Sequence, residues 1–160
     1  MKRVKANDPA ALCHMGLTCY NEGDNDAALE YFTKAAELGD FEAHFQLGMM
    51  YGMGEGVEKD MEKAVFHLEK AAIGGHPYAR HELGCIEWKN GNIERAVKHF
   101  IIAANIGYPG STKALWQHFK DRNITKKDLE TTLRSHQDAL NEMKSPQREA
   151  AEAEKKRLQK

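Results

Sequence analysis

The residues best suited to chemistry are eight histidines and three cysteines in a chain of 160 residues. The histidines are scattered, and none lies in the His-Glu-x-x-His pattern that binds zinc on a helix. Cys13 and Cys19 would point to different faces of a helix, whereas a zinc ion needs four converging ligands. We therefore predict no metal site and no cofactor.

His81 and Cys85 form the one pair that could carry covalent catalysis. They lie four residues apart and would touch on a helix. A Cys–His nucleophile, however, also needs an orienting third group and a substrate pocket. We predict that the protein is not an enzyme, and a small hydrolase using His81 or Cys85 stays the weaker alternative.

The glycine-rich stretch LGMMYGMGEGV, which ends at Val57, superficially resembles a phosphate-binding loop. A dinucleotide loop follows a strand, and the other common type has Lys and then Ser or Thr after its last glycine. Here the preceding residues have helical spacing, and Gly56 is followed by Val57. We interpret the stretch as a turn four residues longer than its counterparts, with Asp60 capping the helix that follows.

Composition limits the classes of function. The chain is 41% apolar and 29% charged, with a net charge of -1 and a pI near 6.7. This balance argues against nucleic-acid binding, which needs a basic surface. No apolar run reaches the roughly 18 residues of a membrane helix, so we predict no membrane association. An odd, small number of cysteines favours a reducing compartment, which predicts a cytoplasmic or nuclear location.

Charge is unevenly distributed along the chain. Residues 8–75 hold four lysines against thirteen acidic residues, a net charge of −9, and residues 110–160 hold twelve basic and eight acidic residues, a net charge of +4. The acidic part would favour a basic partner. The alternative interpretation is a solvated helix surface without a partner.

Three segments of the chain repeat one another. Each has an early glycine, a later pair of alanines and a closing glycine, and the early glycines Gly16, Gly48 and Gly84 are 32 and 36 residues apart. Periods of this size indicate stacked supersecondary units. Within the units, apolar residues recur at i, i+4 and i+7, as in Ala64, Leu68 and Ala71, which predicts helices. We expect His67 and His99 on the outer side of the second helices.

The sequence thus predicts an all-α solenoid of stacked antiparallel helix pairs, since a single pair cannot bury its apolar stripe alone. The predicted units span about 8–40, 41–76 and 77–108, and a divergent unit spans 109–140. Residues 145–160 predict a polar C-terminal helix that begins at Ser145 and Pro146.

Unit two resembles the Sel1-like repeat family, the longer-looped relatives of tetratricopeptide repeats. The matching features are an Ala-x-x-x-Leu-Gly start at Ala43, the Tyr51-Gly-x-Gly-x-Gly-Val loop, Lys59-Asp60, Ala64 and Lys70-Ala71-Ala72. Units one and three have the shorter turn of an ordinary tetratricopeptide repeat. The chain is also similar to algal proteins in which such units follow a RING-like or MYND-like zinc domain, which this sequence does not contain.

The resemblance implies an adaptor or scaffold whose concave groove, lined by the first helices, binds a peptide or helix of a partner protein. Groove positions lie three before, one after and four after each early glycine, and they include Cys13 and Gly52. The predicted partner-binding residues are Leu17, Tyr20, Phe45, Met49, His81, Cys85, Trp88, Lys113, Gln117 and Lys120. The alternative is that these side chains pack inside the stack or against the C-terminal helix. We expect a monomer, with self-association as a structural module as the competing function.

Overall fold

The computed structural model describes residues 8–121, 124–127, 129–131, 134, 138 and 141. This part of the chain contains helices α1 (Pro9–Asn21), α2 (Asn25–Glu37), α3 (Phe41–Met53), α4 (Met61–Ile73), α5 (Pro77–Lys89), α6 (Ile93–Asn105) and α7 (Pro109–Lys120). Each helix packs mainly against its neighbours in the chain, and the pairs α1–α2, α3–α4 and α5–α6 are the most extensive. The predicted solenoid of stacked helix pairs is confirmed.

The two helices of each pair approach closely at one glycine. A Cβ atom on Gly16 would lie 2.6 Å from Cδ1 of Phe32, and one on Gly84 would lie 2.7 Å from Cε1 of Phe100. In the middle pair, a Cβ on Gly48 would lie 2.8 Å from Cγ of Leu68. The repeated glycine therefore leaves room for one large side chain of the partner helix, which is at most 2% exposed in all three units.

Aspartate side chains cap the N-termini of α2, α3 and α4. Asp24 and Asp40 accept hydrogen bonds from the backbone N–H of Ala27 and Ala43 at 3.0 and 2.7 Å. Asp60 accepts from the N–H groups of two residues in the first turn of α4, as predicted. These bonds fix where each helix begins, and hence the register of the apolar positions that face the core.

The glycine loop between α3 and α4 folds back onto the preceding unit. Gly56 has a φ of +70°, and a Cβ there would lie 2.4 Å from Cβ of Asn25 at the start of α2. The hydroxyl of Tyr20 donates a hydrogen bond to the carboxylate of Glu55 in the same loop. The four additional residues of this turn therefore join units one and two.

The prediction that His67 and His99 lie on the outer side of the second helices is wrong, because His67 faces His44 of α3 and the Nδ1 atom of His99 is buried.

The predicted polar helix at 145–160 and most of 122–140 lie outside the described residues. No helix within the described ranges is both long and apolar enough to cross a membrane.

Truncating the large side chain that packs against the repeated glycine should destabilise the fold. We expect Leu68→Ala to lower the free energy of unfolding by about 2–5 kcal/mol, because Leu68 is 2% exposed and a cavity would remain. Phe66→Ala on the same helix is the matched control, since Phe66 is 52% exposed. Chemical denaturation of both variants measures the difference, and equal losses would contradict this packing.

A second comparison isolates the contact between the loop and unit one. Gly56→Ala and Gly91→Ala both place a side chain at positive φ, which costs about 1–2 kcal/mol. Only Gly56→Ala also meets a neighbour, since nothing lies within 4 Å of a Cβ on Gly91. We expect Gly56→Ala to lose about 1–3 kcal/mol more, as overpacked sites do. Identical denaturation midpoints would show that the loop does not brace unit one.

Candidate functional site: a groove between α3 and α5

A groove of about 430 Å³ lies between the first helices of units two and three, with α4 as its floor. Its lining comes from three helices and the loop before α4. The lining residues are Gly48, Met49, Gly52, Met53, Lys59, Met61, Ala64, Leu68, Glu82, Ile86 and Lys89. It is therefore a surface shared by two consecutive units.

The groove exists because small residues alternate with flexible apolar ones. Gly52 has no side chain, and a Cβ built there would meet only Cβ of Ala64, at a van der Waals distance of 3.7 Å, so a small side chain would fit without a clash. Met53 and Met61 are 55% and 41% exposed although both are large and apolar. Methionine adapts to irregular surfaces and is enriched at interface cores, so this lining suits an apolar side chain of a partner.

Charged groups stand at the edge of this apolar floor. Lys59 and Lys89 are exposed, and neither forms an ion pair with another residue in the described part of the chain. Burial raises the pKa of the Glu82 carboxyl, and the charge of Lys89 partly offsets this effect. Two lysines against one glutamate leave the groove with a net charge of +1.

The residues predicted from the sequence are distributed over several environments. Met49 lines the groove, together with Gly52 from the same set of positions. Leu17 and Tyr20 pack against the apolar cluster of units one and two. On α7, Lys113, Gln117 and Lys120 are exposed, and the amide of Gln117 donates to Asp121.

The remaining predicted residues are half-buried between consecutive units. The Phe45 ring stacks on His76 at a centroid distance of 4.3 Å, and the Trp88 indole stacks on His118 at 3.5 Å. His81 bonds through Nδ1 to the hydroxyl of Ser111 at 2.8 Å. The face of each first helix that holds these residues contacts the following unit, so its aromatic residues set the spacing of the stack.

The sequence analysis missed Met53 and Met61, Lys59 in the loop before α4, and one face of α5. Glu82, Ile86 and Lys89 recur at i, i+4 and i+7, and they face α3 and α4 of the preceding unit. Their helical spacing was visible in the sequence, but it did not say which neighbouring unit that face meets. Lys59 comes from the long loop, whose path depends on its contact with unit one.

Cys85 and His81 do touch, with 3.6 Å between Sγ and Nε2, and Ser111 contacts the other ring nitrogen. The electrostatics oppose a nucleophile, however. Burial raises the pKa of the Cys85 thiol and lowers that of the His81 imidazole, so both groups favour their neutral forms. An activated cysteine needs the thiolate–imidazolium state instead. Among the described residues, no group of three or more metal-ligating side chains is placed to hold an ion.

Comparison with protein families identifies the repeats. Residues 41–76 and 77–108 match the model of the Sel1 repeat, and residues 9–38 match the model of a tetratricopeptide repeat. The chain thus contains two Sel1 repeats, preceded by a tetratricopeptide repeat. This division agrees with the long turn of unit two and the short turn of unit one, whereas unit three matches the Sel1 repeat although its short turn is that of an ordinary tetratricopeptide repeat. The matches support a role as a protein–protein interaction scaffold, and Sel1-like solenoids are typically non-catalytic interaction modules.

Curated relatives are similar to part of this Sel1-like chain. It is 36% identical over 75 residues to the exopolysaccharide production negative regulator of Rhizobium meliloti (strain 1021). The aligned region is 46% of this chain and 28% of that protein. The chain is 41% identical over 56 residues to HcpC of Helicobacter pylori (strain J99 / ATCC 700824), which carries a beta-lactamase name, over 35% of this chain and 19% of that one. The aligned region is thus less than a third of either relative.

Solved structures show the same architecture over more of the chain. A Sel1 repeat protein from Oxalobacter formigenes superposes with a TM-score of 0.70 at 26% identity, over 84% of this chain and 58% of that one. The protective antigen c5321 of uropathogenic Escherichia coli, described as displaying an SLR fold, gives a TM-score of 0.67 at 27% identity, over 78% and 28%. The Sel1-like fold therefore extends beyond the two matched repeats.

The paired histidines His44 and His67 predict how the stability of this Sel1-like unit depends on pH. Their Nδ1 atoms are 2.9 Å apart, so one ring must donate and the other accept. Burial, aided by the charge of His44, lowers the pKa of His67 to about 4, and burial with nearby Lys70 lowers that of His44. Below the ordinary histidine pKa, the unfolded chain therefore binds protons that the folded chain excludes.

We expect the free energy of unfolding to fall as the pH drops from about 6.5 to about 4, with no such loss above that window. His67→Gln should remove on the order of 1 kcal/mol of the loss between about pH 7 and pH 5, allowing for partial solvent screening. His14→Gln is the control, since His14 is exposed on α1. Denaturation curves with the same pH dependence for both variants would contradict the proposed role of the histidine pair.

Proposed function

We propose that this protein is a scaffold or adaptor that binds a peptide or helix of a partner protein in the groove between α3 and α5. The observation that carries the proposal is a groove lined by Gly52 and by the large, exposed side chains of Met53 and Met61. Exposed apolar surface of this kind in a folded domain is typical of a binding site. The groove also joins two units, which is where solenoids offer extended binding surfaces.

The predicted residues divide into two roles under this proposal. Met49 contacts the partner directly, while Phe45, His81 and Trp88 hold consecutive units at a fixed spacing and thereby fix the width of the groove. Their ring contacts with the following unit, at centroid distances of 3.5–4.8 Å, support the second role. Lys113, Gln117 and Lys120 would extend the surface along α7, where all three are exposed.

The proposal includes no catalysis. The one candidate nucleophile, Cys85, is held as a neutral thiol by burial and by the carboxylate of Glu82. The beta-lactamase name of the Helicobacter pylori relative describes a protein of which this chain matches 19%.

Gly52→Leu tests the groove without damaging the fold. The leucine Cβ would meet Ala64 only at van der Waals distance, the rest of the side chain would add bulk at a residue that lines the groove, and leucine favours the helix over glycine by about 0.8 kcal/mol. We expect the melting temperature to stay equal or rise. Peptides selected on the wild-type protein from a random phage-displayed library should bind the variant at least about tenfold more weakly, as expected when an anchor side chain is excluded.

The matched control is Ala10→Leu, which adds the same apolar bulk at an exposed position of α1 outside the groove. Selected peptides should bind this control as they bind the wild type. Peptides that bind Gly52→Leu with unchanged affinity, or a library that yields no peptide, would refute the groove as the binding site.

A further inference from the structure

We propose that the groove recognises an acidic segment of its partner, in which one large apolar side chain enters the pocket and flanking carboxylates meet Lys59 and Lys89. This inference rests on the proposed function and adds the chemistry of the partner. It follows from the charges at the rim of the groove, and it is the reverse of what the net charge of the surrounding chain suggests.

The two lysines are the unpaired charges of the site. Lys59 lies in the loop before α4 and Lys89 is the last residue of α5, and both line the groove together with its apolar residues. Several other lysines of the described chain form ion pairs within their own helices, as Lys34 does with Glu30 at 2.5 Å and Lys98 with Glu94 at 2.6 Å. Cations left without partners on either side of an apolar pocket are complementary to carboxylates that flank an apolar residue.

None of the acidic residues of units one and two lines the groove, and several of them have partners elsewhere in the fold. Asp24, Asp40 and Asp60 cap helices, and Glu55 accepts from Tyr20. Glu42 accepts from His76 at 3.0 Å. At physiological ionic strength the field of distant charges is screened beyond about 8 Å, so contacts in the groove outweigh the net charge of the chain.

Glu82 is the one acidic residue that lines the groove, and its replacement gives a second test of the preference for acidic peptides. Its carboxyl is half-buried beside the pocket, and no hydrogen bond or close ion pair holds it within the described part of the chain. For an acidic ligand it is a repulsive neighbour. Replacing it with the isosteric glutamine should therefore tighten the binding of acidic peptides, and should weaken the binding of basic ones.

The experiment uses the same random phage-displayed library on four proteins: the wild type, Lys59→Glu/Lys89→Glu, Glu82→Gln and the control Lys98→Glu. We expect the wild type to enrich Asp and Glu around one large apolar residue. The double reversal should weaken those peptides by about tenfold or more and enrich basic residues instead. Glu82→Gln should strengthen them, and Lys98→Glu should leave them unchanged. Melting curves establish that each variant is folded.

The outcomes separate this inference from the function on which it rests. Peptides that Gly52→Leu excludes but that show no acidic enrichment, or a basic one, overturn the acidic-partner inference and leave the groove as a binding site. Peptides insensitive to Gly52→Leu, or no selected peptides, overturn both. Acidic enrichment that persists in the Lys59→Glu/Lys89→Glu variant also overturns the inference, because the carboxylates would then bind to residues other than Lys59 and Lys89.

Discussion

The close approach of two helices at a single glycine is the constraint on which the rest of this structure depends. Gly16, Gly48 and Gly84 each leave a notch that one buried side chain of the partner helix fills. Because that contact recurs in units one, two and three, the pairs have similar geometry and stack in a regular way. The regular stack then leaves the first helices of consecutive units facing each other across a groove.

The long turn of unit two departs from the regular repeat and has two structural effects. It closes onto Asn25 of the preceding unit, and it also carries Lys59 to the edge of the groove. A turn of the shorter kind found in units one and three would have no residue at that place. The glycines that first suggested a phosphate site therefore serve to shape a surface, and the sequence features of the Sel1-like repeat have a direct structural meaning here.

Most of the fold was predictable from the sequence, because glycine and alanine spacing reports which helix faces pack within a unit. The capping by Asp60 and the extra length of the loop were predicted from local rules, and both hold. The groove was harder to predict. Periodicity places Met49 and Ile86 on helix faces, but which unit each face meets depends on the angle between units, which long-range aromatic contacts such as Trp88 with His118 set.

The most direct test of the central claim is methyl NMR of the protein labelled at its methionines, titrated with the tightest peptide from the library. Met49, Met53 and Met61 line the groove, whereas Met15 lies on α1 outside it and serves as an internal control. The account predicts shifts for the three groove methyls and none for Met15. Shifts confined to Met15, or an unperturbed set of groove methyls in the bound protein, would contradict it.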